Sequence, residues 1–394
     1  MPADKARGCL LIGILFVALN LVVSRVEAGE TDFLIYWSAT HLLATRGDPF
    51  DLGSLRSLEL ETRSERWQDE RHTLAAWNPP WLFVLLLPLG LLPFDLAAHI
   101  WMICNICLIG AAAALTWQKL VGTIDRRSMV IPLALGLYFG PSLVTIEMGQ
   151  ISVLLLIGLV MTVHWLHAGR DKLAGVTLLL TTIKPQATYF VLLLIILWAI
   201  HHRRWQVFGG MAAALILSAI VLWIIFPNWV SAYFRLVSSH AFFQYSTSTL
   251  GGLAYALWGT NLLRFAGILL LPFTPFLLRM VDSRGWLTAM NAALLVSVPL
   301  APYGFTFDYL VLLPTVLQIA AWLWHRELPV RWVYKIGGGL VLLYVVLFAM
   351  LTTDLYYHYF TWVPLALAGL YALAWRKRRP VSCKGAVYHS RESA

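Results

Sequence analysis

Charge is what this sequence has least of. Asp, Glu, Lys and Arg make up 12% of its 394 residues while hydrophobic residues make up 59%, whereas a soluble domain is about one quarter charged. An ordinary soluble globule is excluded. Cysteine is equally scarce: Cys9, Cys104 and Cys107 fall in apolar runs and Cys383 in a basic C-terminal stretch. No disulfide framework can be drawn from them. The Cys104 and Cys107 spacing has no second pair, so small apolar packing explains it better than metal or redox chemistry. No paired-acid motif with an obvious metal-ligand count appears. The net charge of +9 comes from short basic clusters between apolar segments. No basic groove with interleaved aromatics appears, which argues against nucleic acid as a partner.

What the sequence has in quantity is apolar length. Mean hydropathy is +0.72, and stretches of roughly 17 to 25 apolar residues, enough to cross a hydrocarbon core, recur from end to end. The expected fold is all-α, a polytopic transmembrane helix bundle of about ten to twelve spans. Residues 1–376 read as a single transmembrane domain, with 25–76 as an outer loop carrying amphipathic helices and 377–394 as a basic, disordered cytoplasmic tail. Lys5 and Arg7 precede an apolar run from about Cys9 to Val23. A cleaved signal peptide is one reading of that run; a retained first span that tethers the following loop is the preferred one.

The short loops set the expected orientation, because bases mark cytoplasmic turns. Arg170 and Lys172, His201 to Arg204, Arg279 and Arg284, Arg326 and Arg331, and Arg376 to Arg379 are such marks. Residues 227–249, 302–308 and 352–358 carry few bases and face the other way, as does the acid-rich 25–76 segment. Two stretches resist simple crossing. Pro79, Pro80, Pro88 and Pro93 make the segment after Asn78 broken or re-entrant, since proline interrupts a helix. Residues 172–203 hold too little chain for two full crossings between two cytoplasmic marks. Two half-length helices meeting at Lys184-Pro185 resolve this, with proline in the first turn of the second helix.

Polar and ionisable groups at a membrane rim are costly and are functional candidates by default. On the outer side they are Asp32, Glu147, Gln150, Lys184, Gln186, His240, Gln244, Tyr303, Asp308, Tyr309, Asp354 and His358. The stretch TDFLIYWSATHLLATRGDPFD predicts a helix lying along the surface, with Thr31 or Asp32 as N-cap and Arg46-Gly47 as its end, by the usual start and stop signals. Most of the outer-loop aromatics, among them Trp229, Tyr233, Phe242, Tyr245 and Tyr356, read as interfacial anchors. Stacking on a sugar or isoprenoid is the alternative.

A series of motifs resembles a known family. They are the D-F-L-I-Y-W run from Asp32, Asn78-Pro79-Pro80, Gly149-Gln150, Ala174-Gly175 followed by Ile183-Lys184-Pro185, Arg203-Arg204-Trp205, and Pro302 followed by Phe307-Asp308-Tyr309. Their order is similar to that of glycosyltransferase family 87, membrane enzymes of the C-type superfamily that include polyprenyl-phosphate-mannose-dependent mannosyltransferases. The resemblance implies a hexosyltransferase of the cell membrane, multi-pass, whose site faces the periplasm or cell exterior. Its partners would be membrane lipid, a polyprenyl-phosphate sugar donor and a glycan or glycolipid acceptor. No cofactor is expected, the lipid-linked sugar being a substrate.

The resemblance puts the general base on Asp32, against the blander reading of Asp32 as a helix cap. An alcohol is a poor nucleophile, and a positioned carboxylate that takes its proton contributes about 10² to 10⁴ in rate. Asp48 and Asp51 follow the helix and are expected to shape the loop. Lys184, at a helix start, is either a phosphate ligand or a lysine reaching the headgroups. Asp308 either caps its segment, binds sugar hydroxyls or orients Lys184. Gln150 and Gln186 are expected substrate ligands. Family members often carry a histidine after the proline of the late outer loop; here Tyr303 stands there, able to donate a hydrogen bond but not to carry positive charge. His240 is a substitute for it or a solvated histidine. A transporter or flippase of lipid-linked saccharides is the alternative function, and a scaffold without activity a third. The first predicts internal repeats and charges at mid-membrane depth, neither of which stands out.

Overall fold

The computed structural model describes residues 32–62, 75, 77–122, 128–238, 247–353 and 355–378. The expected first span, Arg126 and Arg127, His240, Phe242, Gln244, Tyr245, Asp354 and the tail from residue 379 lie outside the described residues.

Among the described residues every regular element is helical. In chain order they are α1 (Asp32–Ala44), α2 (Leu52–Thr62), α3 (Trp81–Gly90), α4 (Phe94–Val121), α5 (Val130–Leu137), α6 (Gly140–Glu147), α7 (Ser152–His167), α8 (Asp171–Thr181), α9 (Pro185–His201), α10 (Trp205–Ile225), α11 (Trp229–Ser238) and α12 (Leu250–Trp258). A 3-10 segment, Leu262–Phe273, runs into α13 (Thr274–Arg284), followed by α14 (Trp286–Ser297). A second 3-10 segment, Thr306–Leu312, runs into α15 (Leu313–Trp324), and α16 (Val330–Leu351), a short turn at Tyr357–Phe360 and α17 (Trp362–Lys377) complete the chain.

Five of these units are long and apolar enough to cross a membrane: α4, α10, Leu262–Arg284, Thr306–Trp324 and α16. The α5 and α6 pair, bent by 63°, makes a sixth if it counts as one span, and α3, α7, α9 and α14 are shorter apolar helices. The chain is a polytopic helical membrane protein. Burial ranks the spans: 94% of the Thr306–Trp324 window is buried against 11% of α10. Thr306–Trp324 is therefore the axis of the bundle, and α10 turns most of its surface outward.

The half-length helices form where proline and the basic turns put them. α8 ends at Thr181, Lys184 stands at the N-cap of α9, and Pro185 occupies its first turn, where a missing N–H costs nothing. Arg204, just after α9, donates from Nε and Nη2 to Asp171 at 2.6 and 2.7 Å. That contact returns the chain to the end where α8 began. Further contacts gather the basic turns at the same end: His202 with Asp282, Arg284 over Trp375, and Arg378 with Glu327.

The helix expected from Asp32 forms, but it is enclosed rather than laid on a surface. Phe33, Leu34, Tyr36, Trp37, Ala39 and Leu43 are all buried. Its apolar residues face every direction, so one wet face was never available. The proline-rich segment covers it: a Cβ on Gly90 of α3 would come within 2.7 Å of the Thr40 backbone, and Trp37 Nε1 donates to the Leu92 carbonyl at 3.1 Å. Asp48 and Asp51 shape the loop beyond α1, accepting from Phe50 N and Ser54 N at 2.9 and 2.8 Å.

Candidate active site

Asp32 is placed by a weld between the start of α1 and the turn before α7. Phe33 N–H donates to the Met148 carbonyl at 3.1 Å, and Trp101 Nε1 donates to the Gly149 carbonyl at 2.8 Å. Gly149 has φ +63, and a Cβ there would lie 2.5 Å from Phe33 Cβ. Only glycine tolerates both the left-handed backbone and that approach. The weld brings residues far apart in sequence into hydrogen-bonding contact: Gln150 Nε2 donates to Asp32 Oδ2.

The other side of the Gln150 amide faces Lys184. Its Oε1 accepts from Lys184 Nζ at 2.9 Å and from the Tyr36 hydroxyl at 3.1 Å. Lys184 Nζ also lies 3.0 Å from Asp308 Oδ1 and 4.4 Å from the Phe307 ring centre. Asp308 is held from both sides, accepting from Ser152 Oγ at 2.8 Å on Oδ1 and from Phe305 N at 3.0 Å on Oδ2. Lys184 does not reach outward to headgroups: it is 7% exposed and Asp308 3%, and a buried charge of this kind requires a partner. Asp32 itself is partly accessible. Burial pushes its carboxyl above the ordinary carboxylate range; the Gln150 hydrogen bond and the Lys184 charge pull it back, and the Asp308 charge adds a small upward push.

These groups form one wall of a cavity of about 1000 Å³, at the upper end for a ligand site. Tyr303, Gln186, Asn78 and Tyr233 line it as well. Among its apolar lining, Phe265 and Ile268 are 50% and 61% exposed, so the cavity reaches the outer surface along the span-length segment Leu262–Arg284. Tyr357 lines the cavity, and its hydroxyl is pushed up to about 12 by burial, with the Asp32 charge adding to it.

Of the residues expected from sequence, Asp32, Gln150, Lys184 and Asp308 meet in one network, and Tyr303 and Gln186 share its cavity. His240 lies outside the described residues. Sequence reading missed Tyr36 and Ser152. It also missed Arg264, a lone cation in the apolar run LLRFAGILL; an ionisable residue inside such a run was the available signal. Arg264 lines the cavity and is fully buried. It donates to Asn261 Oδ1 at 2.8 Å and to the Pro302 carbonyl at 3.1 Å. A Cβ on Gly251 would lie 2.7 Å from its Cγ, so that glycine gives it room. Among the described residues no group of three His, Cys, Asp or Glu side chains could hold a metal ion.

Comparison with known proteins gives two matches. The family model described as Glycosyltransferase family 87 matches residues 77–302, more than half of the chain. A polyprenol-phosphate-mannose-dependent alpha-(1-2)-phosphatidylinositol pentamannoside mannosyltransferase of Mycolicibacterium smegmatis is 28% identical over 162 residues, covering 40% of this chain and 36% of that protein. The matched stretch thus spans little more than a third of the relative's length. No solved structure matches.

Proposed function

This chain belongs to glycosyltransferase family 87, and from that premise we propose that it moves a mannose-like hexose from a polyprenyl-phosphate carrier to an acceptor hydroxyl, with Asp32 as general base. The observation that carries the proposal is the setting of Asp32. It is a carboxylate anchored through one oxygen to Gln150, in the wall of a cavity large enough for a sugar and edged by apolar surface.

The chemistry follows from those positions. The acceptor oxygen attacks the anomeric carbon as its proton passes to Asp32, and the bond from that carbon to the phosphate oxygen breaks with its electron pair leaving on phosphate. Displacement in one step inverts the anomeric centre. Charge grows on the departing phosphate, so a fixed cation in the same cavity lowers the barrier. Lys184, paired with Asp308, and the Arg264 guanidinium are two cations that line this cavity and share that task. The phosphate is attached to an isoprenoid, and the apolar edge at Phe265 and Ile268 suits such a chain. The basic turns gather at the end away from Asp32, and by the positive-inside rule that end is cytoplasmic. The site then faces the periplasm or exterior.

Asp32→Asn tests this with purified protein and radiolabelled polyprenyl-phosphate mannose. Transfer should fall by about 10² to 10⁴ while the protein stays folded; unchanged turnover removes Asp32 from the mechanism. Movement of the lipid-linked sugar across vesicles without cleavage would favour a flippase instead.

A further inference from the structure

We infer that Gln150 is a positioning residue: its amide grips one oxygen of Asp32 and leaves the other to the acceptor hydroxyl, while the Lys184–Asp308 pair keeps that amide from turning over. The inference rests on the reading of Asp32 as the base. Its physical ground is an asymmetry of donors and acceptors. A lysine ammonium can only donate, and an amide presents a donor group on one side and an acceptor on the other. Lys184 Nζ lies 2.9 Å from Gln150 Oε1, so Nε2 must point to Asp32. Turning the amide over would set its NH₂ against the ammonium and its oxygen against the carboxylate.

Lys184 is in turn immobilised by Asp308 and by the Phe307 ring. The Tyr36 hydroxyl adds a second bond to Oε1 from the same helix that carries Asp32. Gln150 is 2% exposed, and among the described residues the groups its side chain bonds, Asp32, Tyr36 and Lys184, all titrate. A glutamine serving only to fill space has no need of three such partners.

The NH₂ group matters because it cannot accept. It complements the ionised carboxylate, the form that can take a proton from an alcohol. The titratable and charged groups around Asp32 are Tyr36 on α1, Lys184 ahead of α9, Asp308 and Tyr303 around the second 3-10 segment, and Tyr357 on the last turn, with Arg264 lining the same cavity. Burial drives the Asp32 carboxyl up and the Gln150 hydrogen bond draws it down. Losing that bond therefore moves the onset of ionisation to higher pH.

Two variants separate positioning from packing. Gln150→Glu keeps an acceptor for Lys184 and Tyr36 and replaces the NH₂ facing Asp32 by an oxygen; Gln150→Leu removes both sides of the amide. Each is assayed for transfer of mannose from a polyprenyl phosphate across pH, with Asp32→Asn alongside. The expected result for Gln150→Glu is an acid limb of kcat/KM displaced upward by about one pH unit or more. At neutral pH kcat should be at least about tenfold lower, with donor KM nearly unchanged. Gln150→Leu should move the limb in the same direction; if it does not fold, Gln150→Glu still decides. A uniform fall in rate with the limb unmoved, or a rise in KM with kcat kept, overturns the inference and returns Gln150 to packing or substrate binding. If those results come with an inactive Asp32→Asn, only the role of Gln150 fails. If Asp32→Asn turns over normally, both readings fall.

Discussion

Each end of this bundle holds a buried carboxylate paired with a base, and the two pairs are built differently. At the basic end Arg204 and Asp171 exchange two hydrogen bonds, 2.6 and 2.7 Å, in the fork arrangement of a bidentate pair. The Arg204 guanidinium also lies 5.7 Å from the Trp198 ring centre, and neither Arg204 nor Asp171 lines the cavity. The pair closes a crossing so tight that a Cβ on Gly175 would lie 1.9 Å from the Val207 carbonyl and one on Gly210 2.0 Å from that of Lys172. At the other end Lys184 divides its three donors among Asp308, Gln150 and Ser152. Through Gln150 the pair reaches a third ionisable group, Asp32, which faces a cavity. A pair that saturates itself is a brace, and a pair shared with a cavity sets the charge and geometry of a site. The planar fork of arginine suits the first task and the point charge of lysine the second.

The sharpest way to break this division is to remove one carboxylate at each end. Asp308→Ala leaves the Lys184 ammonium buried beside no carboxylate of its own, at a cost of about 3–5 kcal/mol, and transfer should disappear in what remains folded. Asp171→Ala should lose about 1 kcal/mol or a little more, because the Arg204 side chain is already 36% exposed. Its turnover per folded molecule should match the parent. Thermal unfolding in detergent together with turnover normalised to folded protein reads both. A folded Asp171→Ala protein without activity would show that the two ends are not separate in function.

Two glycines sharpen the same contrast. Gly149 and Gly169 both have positive φ, +63 and +67, but the first sits against Phe33 while the second has nothing within 4 Å. Alanine at either position costs about 1–2 kcal/mol of backbone strain. Gly149→Ala must also push α1 away from Gln150, and a misplacement of this kind can lower turnover about 100-fold. Gly169→Ala should leave turnover alone. Equal losses of activity in the two variants would mean that strain, not the position of Asp32, governs the rate.

How far sequence could foresee this depends on the range of the forces involved. The break at Lys184-Pro185 was legible because proline's preference for a first helical turn is local. The basic turns were legible because they are punctuation. The enclosure of α1 was not: it depends on Gly90 and Gly149, which approach from distant segments, and glycine advertises freedom without naming a neighbour. Lys184 left two readings open, and the one in which it reaches the headgroups is excluded only by its burial against Asp308 across the bundle. Arg264 was passed over for the opposite reason. Bases in a membrane sequence are so regularly topology marks that one placed inside an apolar run was not weighed as a site residue.

The smallest expected effects concern two carboxylates close in sequence whose environments shift them in opposite directions. Asp51 is held below the ordinary carboxylate value, chiefly by the Ser54 backbone N–H. It stabilises the fold above that value and loses its contribution as pH falls through its own lower one. Asp51→Ala should cost about 1 kcal/mol at neutral pH, the usual worth of a helix cap, and less in acid. Asp32 is raised by burial, so the unfolded chain gives up that proton before the folded one does, and stability falls as pH climbs from the ordinary value to the raised one. Asp32→Asn lacks this penalty and keeps an oxygen for Gln150 Nε2. Its thermal midpoint should equal the parent's in acid and rise above it as pH passes through that window, then hold a constant lead. The same substitution that silences transfer should therefore make the protein slightly harder to unfold. A midpoint below the parent's at neutral pH would mean that the Asp32 charge is held for stability and not for chemistry.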